Sequence, residues 1–470
     1  MPTGSAIICR LKNLEPIEGA DRIQKATVCG ETVIVSKDHH EGELGILFDC
    51  ETQLSEEFAH YNNLHRRSHL NYNKEVKGYL EDNRRIRPIK LKGVKCSGLW
   101  MPIESIWNCV PKDNKARKFT VLNEGTQLTE FGGVPICNKY VRKVNTSSKG
   151  NKKQRVSLKD LAPTFKEHVD TDHFMRNTQL LKDGQIFIIT EKLHGTSFRC
   201  GNLPVMRNKS WFEKLLNKFG IPTKDKEYKF IVGSRRVVKS IEGQEISNKN
   251  HYYNEDIWTK TARGSFEGKL EKGETVYGEL VGYTPDGNPI MGTHSNEKLK
   301  PFMDKKEYKE FIDRYGEETV FHYGCINNSL GRCQSKLGVN LEATPINKLY
   351  VYRITRTNED GQAVDLSWDQ VKKRCEQLGV DHVPELKKDI VISFSKEHTD
   401  GFGESLELII PTLANKESRN FPQHIREGVV VRIEDGGLTP IFLKDKNYYF
   451  KVLEGIIKDK EDFVDIEESN

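Results

Sequence analysis

The chain has 470 residues, of which 30% are charged and 36% hydrophobic, with a net charge of +5 and a mean hydropathy of −0.64. One ordinary core cannot organise that length, so two or three domains are expected, and no run approaches the roughly 18 apolar residues of a membrane span. Ten cysteines, no two spaced Cys-x-x-Cys, argue against the usual zinc sites and for buried, inert thiols. Met1-Pro2-Thr3-Gly4-Ser5 lacks the basic and apolar stretches of a secretory leader. The expectation is an intracellular protein, cytoplasmic or in an unspecified compartment, with no membrane partner. The mild positive charge permits a polyanionic partner without requiring one.

Residues 1–110 read as short strands separated by turns: 6–11, 26–28 with 32–35 across Cys29-Gly30-Glu31, 45–48, 85–92 and 99–101. That pattern predicts a small barrel of the OB type. In 85–92 the alternation slips at Pro88, which suits an edge strand or bulge. Its cations Arg85, Arg87, Lys90 and Lys92 could track a nucleic-acid backbone; equally, charge there could protect a solvated edge from aggregation. Residues 56–83 look like an insertion. Residues 111–160 are expected to be a basic linker, with seven cations and no acid from Lys139 to Arg155.

From 161 to 470 strands and helices alternate. Helices are predicted at 303–315 and after Ser367-Trp368-Asp369-Gln370, which has the form of a capping box. Strands are predicted at 185–190, 230–234, 275–281, 349–354, 428–433, 441–444 and 448–452. The segment 294–348 reads as a further insertion.

Chemistry-bearing residues recur at the ends of these strands. Lys192 closes an apolar strand just before Leu193-His194-Gly195, where a lysine can be held in a cleft as a nucleophile. Lys444 and Lys446 stand two apart on an extended chain and so share a face; such a pair alone is more often a solvated edge, but a triphosphate would suit it. Glu279 and Glu427 sit on apolar strands, where a carboxylate needs a cation, a metal or a donor. Arg235, at a strand end, could grip phosphate bidentately, and Tyr352 could stack on a base or simply pack. Gly264-Ser265-Phe266-Glu267-Gly268-Lys269 misses the Walker phosphate-loop spacing by one residue, so side-chain cations would have to hold any nucleotide.

Lys-Leu-His-Gly, Gly-Ser-Arg-Arg, Tyr-Gly-Glu-Leu, Tyr-Val-Tyr-Arg, Glu-Gly-Val-Val-Val-Arg and Leu-Lys-x-Lys follow one another in that order. The set resembles the covalent nucleotidyltransferase superfamily of ATP-dependent ligases and capping enzymes, over about residues 165–455. Within it the chain most resembles RNA ligases of the type 5 clade, which carry an N-terminal OB domain. The resemblance implies an α+β architecture: an OB-like β-barrel, then a ligase-type nucleotidyltransferase domain built on antiparallel sheets with flanking helices. It implies that Lys192 becomes adenylylated by ATP. Glu191 and Tyr352 would contact adenine and Arg235 ribose or phosphate. Glu279 and Glu427 would organise Mg²⁺ or Mn²⁺ directly or through water, and Lys444 and Lys446 would bind the phosphates. The partner implied is RNA, as a nicked duplex, sealed by a monomer. His194 stands where many members of the superfamily have Asp, and this leans toward RNA over DNA.

Three alternatives remain open. A capping-type nucleotidyltransferase carries its barrel after the last motif, where only 19 residues follow Lys451 here. A DNA ligase shares the motifs. A non-catalytic RNA-binding protein would keep the fold without needing the intact lysines and carboxylates.

Overall fold

The computed structural model describes residues 6–140, 161–182, 184–207, 209–243, 255–285, 287–292, 294–319, 321–325, 347–391 and 406–458. Two modules account for them.

In the first, strand Ala6–Arg10 pairs antiparallel with Leu44–Asp49, and Gly98–Pro102 continues that sheet. A second sheet is made of Lys12–Pro16, Ile23–Val28 and Glu31–Ser36. The central strands are apolar on both faces because both faces are covered. Ile7, Cys9 and Leu47 pack inside the barrel with Val28, Val33 and Trp100. The alternating Ala6, Ile8, Ile46 and Phe48 pack outward beneath helices Glu56–Tyr61 and Glu104–Cys109.

The module runs further than residue 110. Gln127–Leu128 pairs with the strand of Ile7, and Cys137–Lys139 pairs with Thr52–Leu54. The expected linker is therefore folded from 111 to 140, with Phe131, Ile136 and Cys137 buried in the barrel's outer core. These paired strands are only two or three residues long, too short to show alternation. The rest of the expected linker, 141–160, lies outside the described residues. The expected insertion 56–83 is ordered, with Asn71 buried and bonded to His65 and Val76 main-chain atoms.

The second module packs two sheets face to face. One has the order Asp172–His173, Ile441–Lys446, Gly428–Glu434, Ile186–Lys192, Glu385–Val391. The other centres on Lys226–Gly233, Thr196–Met206, Glu274–Gly282 and Asn347–Thr357, all antiparallel. Behind the first sheet Ile189, Val431 and Leu443 pack on Phe174, Ile410 and Ala414. Helices Ile257–Phe266, Lys305–Tyr315 and Trp368–Leu378 contribute to the core of the larger sheet, and the last begins with the anticipated Ser367–Gln370 capping box. In the expected insertion 294–348, helix Lys305–Tyr315 is capped by Asp304.

The predicted strand at 448–452 is instead part of helix Tyr448–Lys458. The Asn447 side chain accepts the N–H groups of Tyr449 (2.8 Å) and Phe450 (3.3 Å), an N-cap that outweighs the short apolar alternation. Among the described residues no helix is long and apolar enough to cross a membrane.

Polar contacts join the modules. Lys451 meets Glu31 at 2.6 Å, both nearly buried, and Arg176 meets Asp49 at 3.0 Å. Lys95 meets Glu307 at 2.6 Å.

Candidate active site

Strand register builds one wall of a cleft. Lys192 lies opposite Gly428, which lies opposite Lys446; Thr190, Val430 and Lys444 form the next row, and Ile188, Arg432 and Phe442 the third. With a side-chain period of two, these rows share the face away from Ile189, Val431 and Leu443. Gly428 is obligatory between the two lysines, because a Cβ there would stand 2.1 Å from the Asp445 carbonyl oxygen. The opposite wall is the larger sheet, which contributes Ser197, Tyr277, Glu279 and Tyr352. Between the walls lies a cavity of about 170 Å³.

Lys192 enters this cavity from its strand end and makes an ion pair with Glu427 at 2.7 Å. Gly195 has an ordinary φ, and what it allows is close approach, since a Cβ would fall 2.4 Å from the Leu280 carbonyl oxygen. Tyr323 fixes the same turn by accepting the His194 N–H at 2.7 Å.

Glu427 is 4% exposed. Burial pushes its carboxyl up, but Lys192, then His194 at 3.6 Å and Lys446 at 3.9 Å, outweigh burial and bring it down to about 2. Lys446 is buried, which disfavours its charge. Glu454 (2.8 Å), Glu51 (2.9 Å) and Glu427 reverse that effect and hold it well above the ordinary lysine value. Lys444 goes the other way: burial lowers it, and Glu51 at 3.6 Å only partly compensates.

At the other end of the cleft, Glu191 is 1% exposed. Its Oε2 accepts the Arg419 N–H at 2.8 Å, while its Oε1 is buried without a hydrogen-bond partner. An orphaned acceptor beside a cavity is suited to a ligand's N–H. Tyr352 lines the same cavity, its hydroxyl bonded to His168 Nδ1. Burial, then Arg199, Arg235 and Arg353, keep that imidazole well below its usual pKa, so the ring is neutral and can accept.

Each sequence-predicted nucleotide residue therefore has a definite place. Glu191, Lys192, Arg235, Glu279 and Tyr352 line the cavity, and Glu427, Lys444 and Lys446 form the ionic cluster beside it. Arg235 bonds Asp170. The four barrel cations separate. Arg85 is 6% exposed and donates to the Gly455 carbonyl at 2.9 Å, so it docks the modules together and has no surface to offer RNA in this arrangement. Arg87 pairs with Glu81 at 2.9 Å. Of the predicted strand 89–91 forms a strand, with Lys90 on it and Lys92 at its hairpin turn, while Arg85 makes an isolated antiparallel bridge with Gln53.

Sequence reasoning missed several residues. His168 carries no motif. Arg353 and Arg432 lie inside quoted motifs but were given no role; Asp365 binds Arg353 at 2.5 and 2.9 Å, and Glu434 binds Arg432 at 2.7 Å. Arg353 and Arg432 stand 5.9 and 5.3 Å from the Phe442 ring, closing the cleft's floor. Glu51 comes from the other module and could not be anticipated locally.

Among the described residues no group of three or more His, Cys, Asp or Glu side chains forms a cage for a metal. Mg²⁺ does not require one, since it keeps several waters and takes one or two carboxylates plus substrate phosphates. Glu427, held ionised, and Glu279 offer such a set.

Comparison with known proteins gives the family and the fold. The RNA ligase family model matches residues 185–452, and an OB-fold domain model matches 5–103. The chain belongs to the RNA ligase family. Its fold is that of Naegleria gruberi RNA ligase. An apo mutant of that enzyme is 18% identical, with a TM-score of 0.53 covering 96% of this chain and 98% of the other. Another mutant, with ATP and Mn, is 17% identical, with a TM-score of 0.51 covering 97% and 100%. A third, with AMP and Mn, is 16% identical, with a TM-score of 0.51 covering 96% and 99%. No curated protein sequence matches.

Proposed function

We propose that this RNA ligase uses ATP and acts through an adenylate carried on Lys192. The observation that carries the reading is the shared face of Lys192, Lys444 and Lys446 at a cavity whose far end holds an unpartnered carboxylate oxygen. The Naegleria ligase, whose fold this chain shares, has been seen with ATP and Mn and with AMP and Mn.

Adenine would enter between Tyr352 and Val430, its amino group donating to Glu191 Oε1. The triphosphate would run toward Lys444 and Lys446. A lysine free in water is an ammonium at neutral pH and so no nucleophile, and here Lys192 is paired with Glu427 at 2.7 Å. The polyphosphate brings charge that competes for Lys446, and Glu427 is then available to a divalent cation. Glu427 and Glu279 would hold Mg²⁺ or Mn²⁺, directly or through water, and the ion would supply neutralisation of phosphate charge; so engaged, Glu427 would release Lys192. Lys192 gives up its proton to water and its Nζ attacks the α-phosphorus; the bond to the bridging oxygen breaks and pyrophosphate leaves. Positioning and charge neutralisation do most of this work.

AMP would next pass to an RNA 5′-phosphate, releasing the lysine. A 3′-hydroxyl would then attack that phosphate, expelling AMP and closing the strand. A nicked duplex suits a single cleft that must see both ends, and RNA repair within the cell suits such a substrate. The test is sealing of matched nicked duplexes that differ only in ribose or deoxyribose on either side of the break. ATP-dependent closure of the RNA nick with transient AMP-RNA is expected. Closure of the DNA nick alone favours a DNA ligase, and no closure of either contradicts the proposal.

A further inference from the structure

The two phosphate-side lysines are engaged by a residue of the other module. Glu51 stands on the turn after strand Leu44–Asp49 and reaches Lys446 at 2.9 Å and Lys444 at 3.6 Å. Its placement is determined locally. Asp49 Oδ1 accepts the Glu51 N–H and the Thr52 hydroxyl, each at 2.9 Å, while Asp49 Oδ2 lies 3.0 Å from the buried Arg176 of the ligase domain. The Glu51 carbonyl accepts the Tyr140 N–H at 2.9 Å. One aspartate thus fixes the turn and docks it.

Lys192, Lys444 and Lys446 face Glu427, Glu454 and Glu51, so cations and carboxylates balance in number. A triphosphate with about four negative charges would upset that balance in a poorly hydrated place unless a carboxylate withdrew. Glu427 and Glu454 belong to the same domain as the lysines. Glu51 is carried by a separate module, whose dock includes several ionic and polar contacts: Lys451–Glu31 at 2.6 Å, Lys95–Glu307 at 2.6 Å and Arg85 to the Gly455 carbonyl at 2.9 Å. Interfaces of that kind within a chain commonly permit relative motion.

We propose that Glu51 is the resting occupant of the polyphosphate subsite and that the phosphates of ATP displace it. Nucleotide binding thereby loosens the OB module from its dock. After pyrophosphate leaves, Glu51 returns and opposes its rebinding. The inference rests on Lys444 and Lys446 being the phosphate-binding pair proposed above.

The test compares full-length parent and Glu51→Gln over a range of ATP concentrations with Mg²⁺, reading the initial rate of AMP attachment by intact mass. The KM for ATP should fall by about tenfold, the effect of removing one charged competitor, with the saturated rate unchanged. An unchanged KM shows that Glu51 does not compete, and a raised KM shows that it helps hold the nucleotide; either overturns the inference. A second arm uses the unsubstituted protein with inorganic tripolyphosphate and requires no chemistry. Amide exchange around residues 49–54 should quicken in the parent on adding it, and unchanged exchange overturns the inference by itself. Loss of AMP attachment in both proteins would instead overturn the ATP reading, leaving the exchange arm to decide the displacement.

Discussion

Glu427→Gln tests the electrostatics of the site through stability as well as activity. The carboxyl is held at about 2, against an ordinary 4.5, because Lys192, His194 and Lys446 outweigh its burial. The difference corresponds to roughly 3 kcal/mol of folding free energy at neutral pH. A folded-state pKa below the unfolded one means that this contribution is complete above pH 4.5 and is lost as pH falls toward 2. Glutamine keeps the shape without the charge, so the variant should be about 3 kcal/mol less stable at pH 7 in urea unfolding followed by tryptophan fluorescence. The deficit should shrink by about 1 kcal/mol at pH 4 and about 2 kcal/mol at pH 3, as the parent loses the same charge. A variant as stable as the parent at pH 7, or a deficit indifferent to acid, would refute the ionic cluster. The same protein distinguishes two roles for Glu427. If it only held Lys192 as an ammonium, the variant would attach AMP faster; if it also serves the metal, attachment should slow.

Lys444→Ala should slow AMP attachment by roughly 10- to 100-fold, the loss of one charge-assisted phosphate contact, and a normal rate would remove Lys444 from the phosphate site. His322 and His424 are 3% and 2% exposed, and burial lowers them to about 4 and about 3. Their stabilising neutral state is complete above 6.5 and eroded below it, so lowering the pH from 7 to 5 should cost roughly 2 kcal/mol for each; a flat profile would contradict their burial as neutral rings. Asn447→Ala should cost about 1 kcal/mol by uncapping helix Tyr448–Lys458, with no change expected if the N-cap is incidental.

What the sequence disclosed here is what short-range periodicity encodes. Lys444 and Lys446 could be placed on one face because a strand repeats every two residues, and the Ser367 cap could be read because its partner lies three residues on. The helix at 448–458 was misread because three alternating apolar residues mimic a strand and the decisive signal, Asn447, precedes them. The barrel's last strands at 127–128 and 137–139 were missed because they are too short to show a pattern. The pairing of Glu51 with Lys446 spans almost the whole chain, and no local rule connects them. Arg85 shows the same limit from the other side: an Arg on a predicted edge strand reads as surface charge, but the docked helix Tyr448–Lys458 covers it.

The central claim is that the Lys192 side chain carries the adenylate. Folded protein given ATP and Mg²⁺ or Mn²⁺ should gain the mass of one AMP, with the modified peptide containing Lys192, and Lys192→Ala should gain none. No added mass in the parent, or an undiminished adduct in the alanine variant, would contradict it.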